Sequence, residues 1–218
     1  EAIRKKMERD QGLRVGLEHI AVSCGAKHSL YNILQVLLEP GDEVLIPSPY
    51  WVSYPEMIKL AGGIPVPVPT EENDFLMTRD LIERAVTPRT RALILNSPSN
   101  PTGAVLKEEH LRDIAKLLVE RDLYALSDEI YEYYTFEGVK HASVAAFAGD
   151  FFKHVAIVNG ASKSYAMTGL RIGYAVAAEP LIQGISVLQD HSTSNPASLS
   201  QEAALACLGM DSRYREDL

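Results

Sequence analysis

Residues 160–173 read GASKSYAMTGLRIG, and within them one lysine, Lys163, follows Gly160, Ala161 and Ser162, with Arg171 eight positions further on. A primary amine can condense with an aldehyde, and a guanidinium offers a planar fork of donors that matches a phosphate dianion. The small residues before the lysine let backbone N–H groups and the Ser162 hydroxyl come close to such a ligand. This spacing therefore suits capture of a small cofactor with an aldehyde at one end and a phosphate on an arm. A lone lysine would carry no such message, because most lysines are solvated surface residues.

Other turns carry residues that could complete the site, and each has a plainer reading. Gly25, Ala26 and Lys27 immediately precede a helix expected to start near His28, so their free N–H groups can face an anion with the help of the helix dipole. Otherwise they form only a turn. Trp51, the single tryptophan, follows Ser48-Pro49-Tyr50 and could lie flat on a heteroaromatic ring, or simply pack in the core. Asn100, in Asn100-Pro101-Thr102-Gly103, is a turn former that also sits just beyond an expected strand. Asp128 follows the apolar run 123–126, where a carboxylate needs a positive or donating partner. It could cap a helix with Tyr131 packed beside it. Alternatively it could keep a ring nitrogen protonated, while Tyr131 reaches a neighbouring phenolic oxygen.

Short β-branched runs alternate with amphipathic stretches, which predicts an α/β fold: three layers, α/β/α, around a mainly parallel central sheet. Strands are expected at 44–47, 64–68, 92–96, 124–127, 155–159 and 172–177, with helices between them. Residues 28–38 place Leu30, Ile33, Leu34, Leu37 and Leu38 on one stripe, stopped by Glu39-Pro40-Gly41-Asp42. Residues 107–121 repeat the design. In such sheets ligands collect at the carboxyl ends of strands, where the turns named above lie.

Of 218 residues 46% are hydrophobic and 23% charged, enough for a large core, and no repeat or linker divides the chain. The formal charge is −8, which gives no basic footprint for nucleic acid and no polybasic stretch for a membrane. Any anion site must be local. Two cysteines, Cys24 and Cys207, make no disulfide framework and show no metal-ligand spacing; a reducing, cytoplasmic setting is expected. No apolar run is long enough to span a bilayer. The chain opens without Met inside a helical pattern, and ACLGMDSRYREDL at its end reads as a helix followed by the start of another segment. A piece of a longer protein is expected.

The GAK loop, SPYW, NPTG, DEIY and SKSYAMTGLRIG, in that order, resemble the large domain of the class I/II, fold-type I aminotransferases of the aspartate aminotransferase family, and the resemblance covers essentially all 218 residues. It implies pyridoxal 5′-phosphate as cofactor, bound through Lys163, with Asp128 paired to the pyridine nitrogen. Tyr131 and Asn100 match donors to the phenolic oxygen, and Asn100 also lies near the substrate carboxylate. Trp51 and Ile130 match the residues on the two ring faces. Gly25, Ala26, Lys27, Ser162 and Arg171 match the phosphate-binding group. Lys27 also matches a lysine thought to meet the distal carboxylate of acidic substrates, so Lys27, Trp51 and Asn100 are the expected substrate contacts.

The implied activity moves an amino group between an amino acid, aspartate or another acidic one, and a 2-oxo acid, with Lys163 as shuttle base. A homodimer is expected. One position departs from the family: many relatives have Ser where this chain has Gly160, which shifts the phosphate grip towards the loop amides and Arg171. The family's N-terminal arm and its C-terminal small domain, with the arginine for the substrate carboxylate, have no matching segment. The same large domain also resembles that of lyases and synthases using this cofactor, and that of transcription regulators in which it senses a ligand.

Overall fold

The structure is a computed structural model that describes residues 1–210. Its strands are β1 (Ile20–Ser23), β2 (Glu43–Ser48), β3 (Ile64–Pro69), β4 (Thr90–Asn96), β5 (Tyr124–Asp128), β6 (Val155–Gly160) and β7 (Gly173–Val176). They form one sheet in the order β1-β7-β6-β5-β4-β2-β3. β2 runs parallel to β3 and β4, β4 to β5, and β5 to β6, whereas β7 is antiparallel to both β6 and β1. Parallel neighbours need crossover connections. α3 (Ser53–Leu60) links β2 to β3, α4 (Arg79–Ala85) leads on from β3 to β4, and α5 (Glu108–Arg121) links β4 to β5, while the crossover from β5 to β6 is made of turns and short 3-10 segments. α2 (Ala26–Leu37) leads from β1 to β2, and α1 (Ala2–Gln11), α6 (Glu179–Asp190) and α7 (Ser198–Leu208) pack around them.

Side chains alternate across each strand, so every central strand feeds two cores. On β4, Ala92 and Ile94 pack with Leu30, Ile33 and Leu34 of α2, Ile58 of α3 and Ile185 of α6. Leu93 and Leu95 face the opposite way, onto Met7 of α1, Ile82 of α4 and Leu111, Ile114 and Leu118 of α5. This is the expected three-layer arrangement. Each fully buried Leu or Ile contributes roughly 1.5–3 kcal/mol, and these side chains are fully enclosed or nearly so.

The six expected strands are present within two residues of their predicted ends. β1 (four residues) was not among them: its place at the sheet edge depends on antiparallel pairing with β7, a contact 150 or more positions away in the chain. A second difference bears on the site. α2 begins at Ala26 and not near His28, so Ala26 and Lys27 form its first turn while Gly25, at φ +95°, caps it. Among the described residues no helix is long and apolar enough to cross a membrane. The helix expected near the chain end is α7, and the segment expected after it, 211–218, lies outside the described residues.

Candidate active site

Because β4, β5 and β6 are parallel, their carboxyl ends lie along one edge of the sheet, facing the start of α2. The cleft between them measures about 280 Å³. β4 and its following turn supply Asn96 and Asn100. The end of β5 supplies Asp128, Ile130 and Tyr131, and the turn after β6 supplies Ser162 and Lys163. Thr168 and Arg171 enter from the approach to β7, Ala26, Lys27 and Leu30 from α2, and Trp51 and Tyr54 from the start of α3. Every expected cofactor or substrate contact thus lines this one cleft, except Gly25, which adjoins it as the cap of α2, while the small residues Gly160 and Ala161 lie outside its lining. Leu30, Tyr54, Asn96 and Thr168 were not anticipated.

Asp128 is 3% exposed. Tyr54 donates its hydroxyl to Oδ2 at 2.7 Å, and the Ile130 N–H donates to Oδ1 at 3.3 Å. Burial pushes the carboxyl up to about 6, although both donors work in the other direction, and the adjacent Glu129 charge adds to the rise. The helix-cap reading fails here, since residues 130–133 form a turn and no helix begins at the end of β5. Asp128 is a buried acid lining the cleft, with one protein donor on each carboxylate oxygen.

Asn96 ties the neighbouring strand ends together. Its Nδ2 donates to the Asp128 carbonyl at 3.0 Å and its Oδ1 accepts from the Asn100 N–H at 2.8 Å. The Asn100 side chain neighbours the Tyr131 phenol in the cleft, and the proton affinity of that phenol is raised by burial and by the Asp128 charge, with Asn100 opposing. Lys163 Nζ lies 5.8 Å from the centre of the Tyr131 ring, and the Tyr134 hydroxyl fixes the Lys163 carbonyl at 2.9 Å. At the cleft wall, Trp51 meets Tyr54 edge-on at 5.4 Å, and Lys27 Nζ lies 4.8 Å from the centre of the Trp51 ring.

The opposite end is built for an anion. The first-turn N–H groups of α2, from Ala26 and Lys27, have no intrahelical acceptor. The Arg171 guanidinium lies beside this turn, held by the carbonyls of Thr168 at 2.8 Å and Cys24 at 3.4 Å. A Cβ on Gly25 would fall 2.4 Å from Arg171 Nη2, so only glycine leaves room for that approach. Among the described residues, none of the ion pairs involves Lys27, Lys163 or Arg171. Three cations without carboxylate partners therefore share one cleft of a chain whose formal charge is −8. Gly160 also has a local reason: a Cβ there would lie 2.7 Å from the Ile172 carbonyl, where β6 meets β7.

The sequence pattern of the family described as Aminotransferase class I and II matches residues 1–218. The chain is 49% identical over 207 residues to an aspartate aminotransferase of Geobacillus stearothermophilus, covering 94% of this chain and 53% of that protein. The chain belongs to the class I and II aminotransferases. Among solved structures, the Rhizobium meliloti aspartate aminotransferase superposes with a TM-score of 0.96 at 39% identity, over 99% of this chain and 55% of that one. The Thermus thermophilus aspartate aminotransferase with maleate gives 0.92 at 45% identity, over 99% of this chain and 55% of that one. The chain spans about half the length of the curated relatives it matches.

Pyridoxal phosphate is the cofactor of this aminotransferase family, and the cleft fits it. Cations without carboxylate partners and first-turn amides suit the phosphate, and a buried acid lining the cleft suits a ring N–H. A phenol and an amide stand at a third edge, and an amine lies within reach of the phenol.

Proposed function

We propose that residues 1–218 form the cofactor-binding large domain of a pyridoxal-phosphate-dependent aminotransferase. It would move an amino group from aspartate, or another acidic amino acid, to a 2-oxo acid. The observation that carries this reading is the joining, in one cleft, of Lys163, Asn100 and Tyr131 with a buried acid, Asp128, and an arginine, Arg171, that has no carboxylate partner among the described residues.

When bound, the cofactor's pyridine ring takes up the electron pair left as an amino acid loses its α-proton. Asp128 would keep the ring nitrogen protonated by a charge-assisted hydrogen bond. Tyr131 and Asn100 would donate to the phenolic oxygen. Trp51 and Ile130 would hold the ring between them, which fixes its tilt and excludes water. Arg171, Ser162 and the α2 amides, with Gly25 giving access, would grip the phosphate. Lys163 would be the amine at the aldehyde end and the base that carries the α-proton. Lys27, on the outer side of Trp51, would meet the distal carboxylate of an acidic substrate. The maleate bound by the Thermus relative, a four-carbon dicarboxylate, supports that choice.

We further propose that the protein is a cytoplasmic homodimer. Leu199 and Leu205 on α7 expose apolar surface that a second copy would cover, and both cysteines are free thiols.

Borohydride reduction of the protein loaded with pyridoxal phosphate, followed by peptide mass mapping, should place the adduct on Lys163. An adduct on another lysine overturns the assignment. Mixing the loaded protein with aspartate should yield the amine form of the cofactor and a 2-oxo acid, whereas a lyase would release other products and a ligand sensor none.

A further inference from the structure

The segment after β5 splits its side chains between two sides of the sheet. Asp128, Ile130 and Tyr131 face the cleft, while Glu129 and Glu132 are buried on the other side at 1% and 4% exposure. Two buried carboxylates so close to a cofactor cleft are costly unless each is fully partnered. Glu132 pairs with Lys6 of α1 at 2.8 Å. Glu129 takes four donors: Ser127 Oγ at 2.8 Å and Ser143 Oγ at 2.6 Å on one oxygen, with Gln11 Nε2 and His141 Nε2 on the other. Its own N–H donates to the Val158 carbonyl of β6 at 2.9 Å.

These donors come from α1, β5 and the 141–143 loop, so they fix Glu129 in three directions at once. The neighbouring residues, Asp128 and Ile130, have no freedom independent of it, because one rigid turn carries all three. Burial alone would raise the Glu129 carboxyl, yet His141 and the two serines hold it below its ordinary value. It is therefore a fixed negative charge adjacent in sequence to Asp128. An apolar residue of similar volume would serve stability as well or better at such a position; what it could not do is grip these three elements.

We infer that Glu129, clamped by Gln11, Ser127, His141 and Ser143, is a positioning residue that holds the end of β5 so that Asp128 and Tyr131 present their polar atoms to the cofactor. The inference rests on the reading of the cleft as a pyridoxal phosphate site. The charged and titratable groups around Glu129 are Asp128 on its own strand, Lys6 and Asp10 of α1, Glu132 and Tyr133 in the following turn, His141, and Tyr174 of β7.

The test compares the full chain with Glu129→Gln, which keeps the shape and removes the charge, with His141→Asn, which removes the partner instead, and with Leu118→Ala, a cavity in the core under the same face. Three quantities are read: the dissociation constant for pyridoxal phosphate from absorbance titration, the pH midpoint of the bound cofactor's absorbance change, and the Tm of the cofactor-free protein. Glu129→Gln or His141→Asn should weaken binding about tenfold or more and move the midpoint by about half a pH unit or more. Leu118→Ala should lower Tm and leave the other two readings in place. Wild-type affinity and midpoint in both network variants, whatever their Tm, overturn the inference. If the wild-type chain binds no pyridoxal phosphate, the cleft reading falls and this inference with it; wild-type binding with unchanged variants overturns this inference alone.

Discussion

The hydroxyl of Tyr54 donates to Oδ2 of Asp128 at 2.7 Å, joining the first turn of α3 to the end of β5 where both line the cleft. Both side chains are almost completely enclosed. Tyr54 is the one side-chain donor that Asp128 has among the hydrogen bonds of the described residues, and its own proton is held tightly, by burial first and then by the Asp128 charge.

Tyr54→Phe should therefore destabilise the cofactor-free protein by roughly 1.5–3 kcal/mol, the value of a hydrogen bond to a charged group. The bond favours the ionised carboxylate, so the loss should be greater at pH 8 than at pH 5. Urea unfolding at the two pH values measures it. Equal losses would mean that Asp128 does not change its protonation state between the two pH values.

Asp128 supplies a pH dependence of its own. Its folded-state value of about 6 lies above its ordinary value of 3.8, so between the two the folded chain binds more protons than the unfolded one. Stability then falls as pH rises through this window, by on the order of 3 kcal/mol in total. Asp128→Asn should flatten the fall between pH 4 and 6 in the cofactor-free protein and raise its Tm at pH 7. Pyridoxal phosphate should stabilise the wild type more than the variant, because a ring N–H gives the ionised acid a charge-assisted partner. A variant with an unchanged pH profile would show that burial of Asp128 carries no such penalty.

Gly25→Ala tests the phosphate end. The new Cβ would fall 2.4 Å from Arg171 Nη2 at a backbone φ of +95°, so the guanidinium must move and the turn is strained. Inorganic phosphate should compete less well with pyridoxal phosphate in this variant than in wild type. Unchanged competition would count against Arg171 as the phosphate partner.

Gly160→Ser places a hydroxyl where the family resemblance leads one to expect it. Its Cβ would lie 2.7 Å from the Ile172 carbonyl, so the expected result is a stability loss of about 1–3 kcal/mol from overpacking with no gain in cofactor affinity. Tighter binding at unchanged Tm would show that β6 and β7 can separate to admit the hydroxyl.

Lys27→Ala should reduce kcat/KM for aspartate more than for a neutral amino acid, by about 10- to 100-fold in the ratio, since a charge-assisted contact is worth about 1.5–3 kcal/mol. Steady-state rates with the two substrate classes measure it. Equal losses would assign Lys27 to the phosphate alone.

What the sequence by itself determined is local. Alternating β-branched runs marked β2 to β7 because side-chain period is a property of neighbouring residues. The lysine, arginine, aspartate and turn motifs were legible because the chemistry is written in residue types at short spacing. Tertiary structure decided the partners. Tyr54 and Asp128 are 74 positions apart, and the Lys6–Glu132 pair spans 126; no periodicity encodes such contacts, since they exist only when the sheet brings strand ends and helices together. The reading of Asp128 as a cleft acid and not a helix cap was settled in the same way, by the turn that follows β5. Gly160 looked like a departure from a family pattern, and only the close approach of two strands gives it a physical cause.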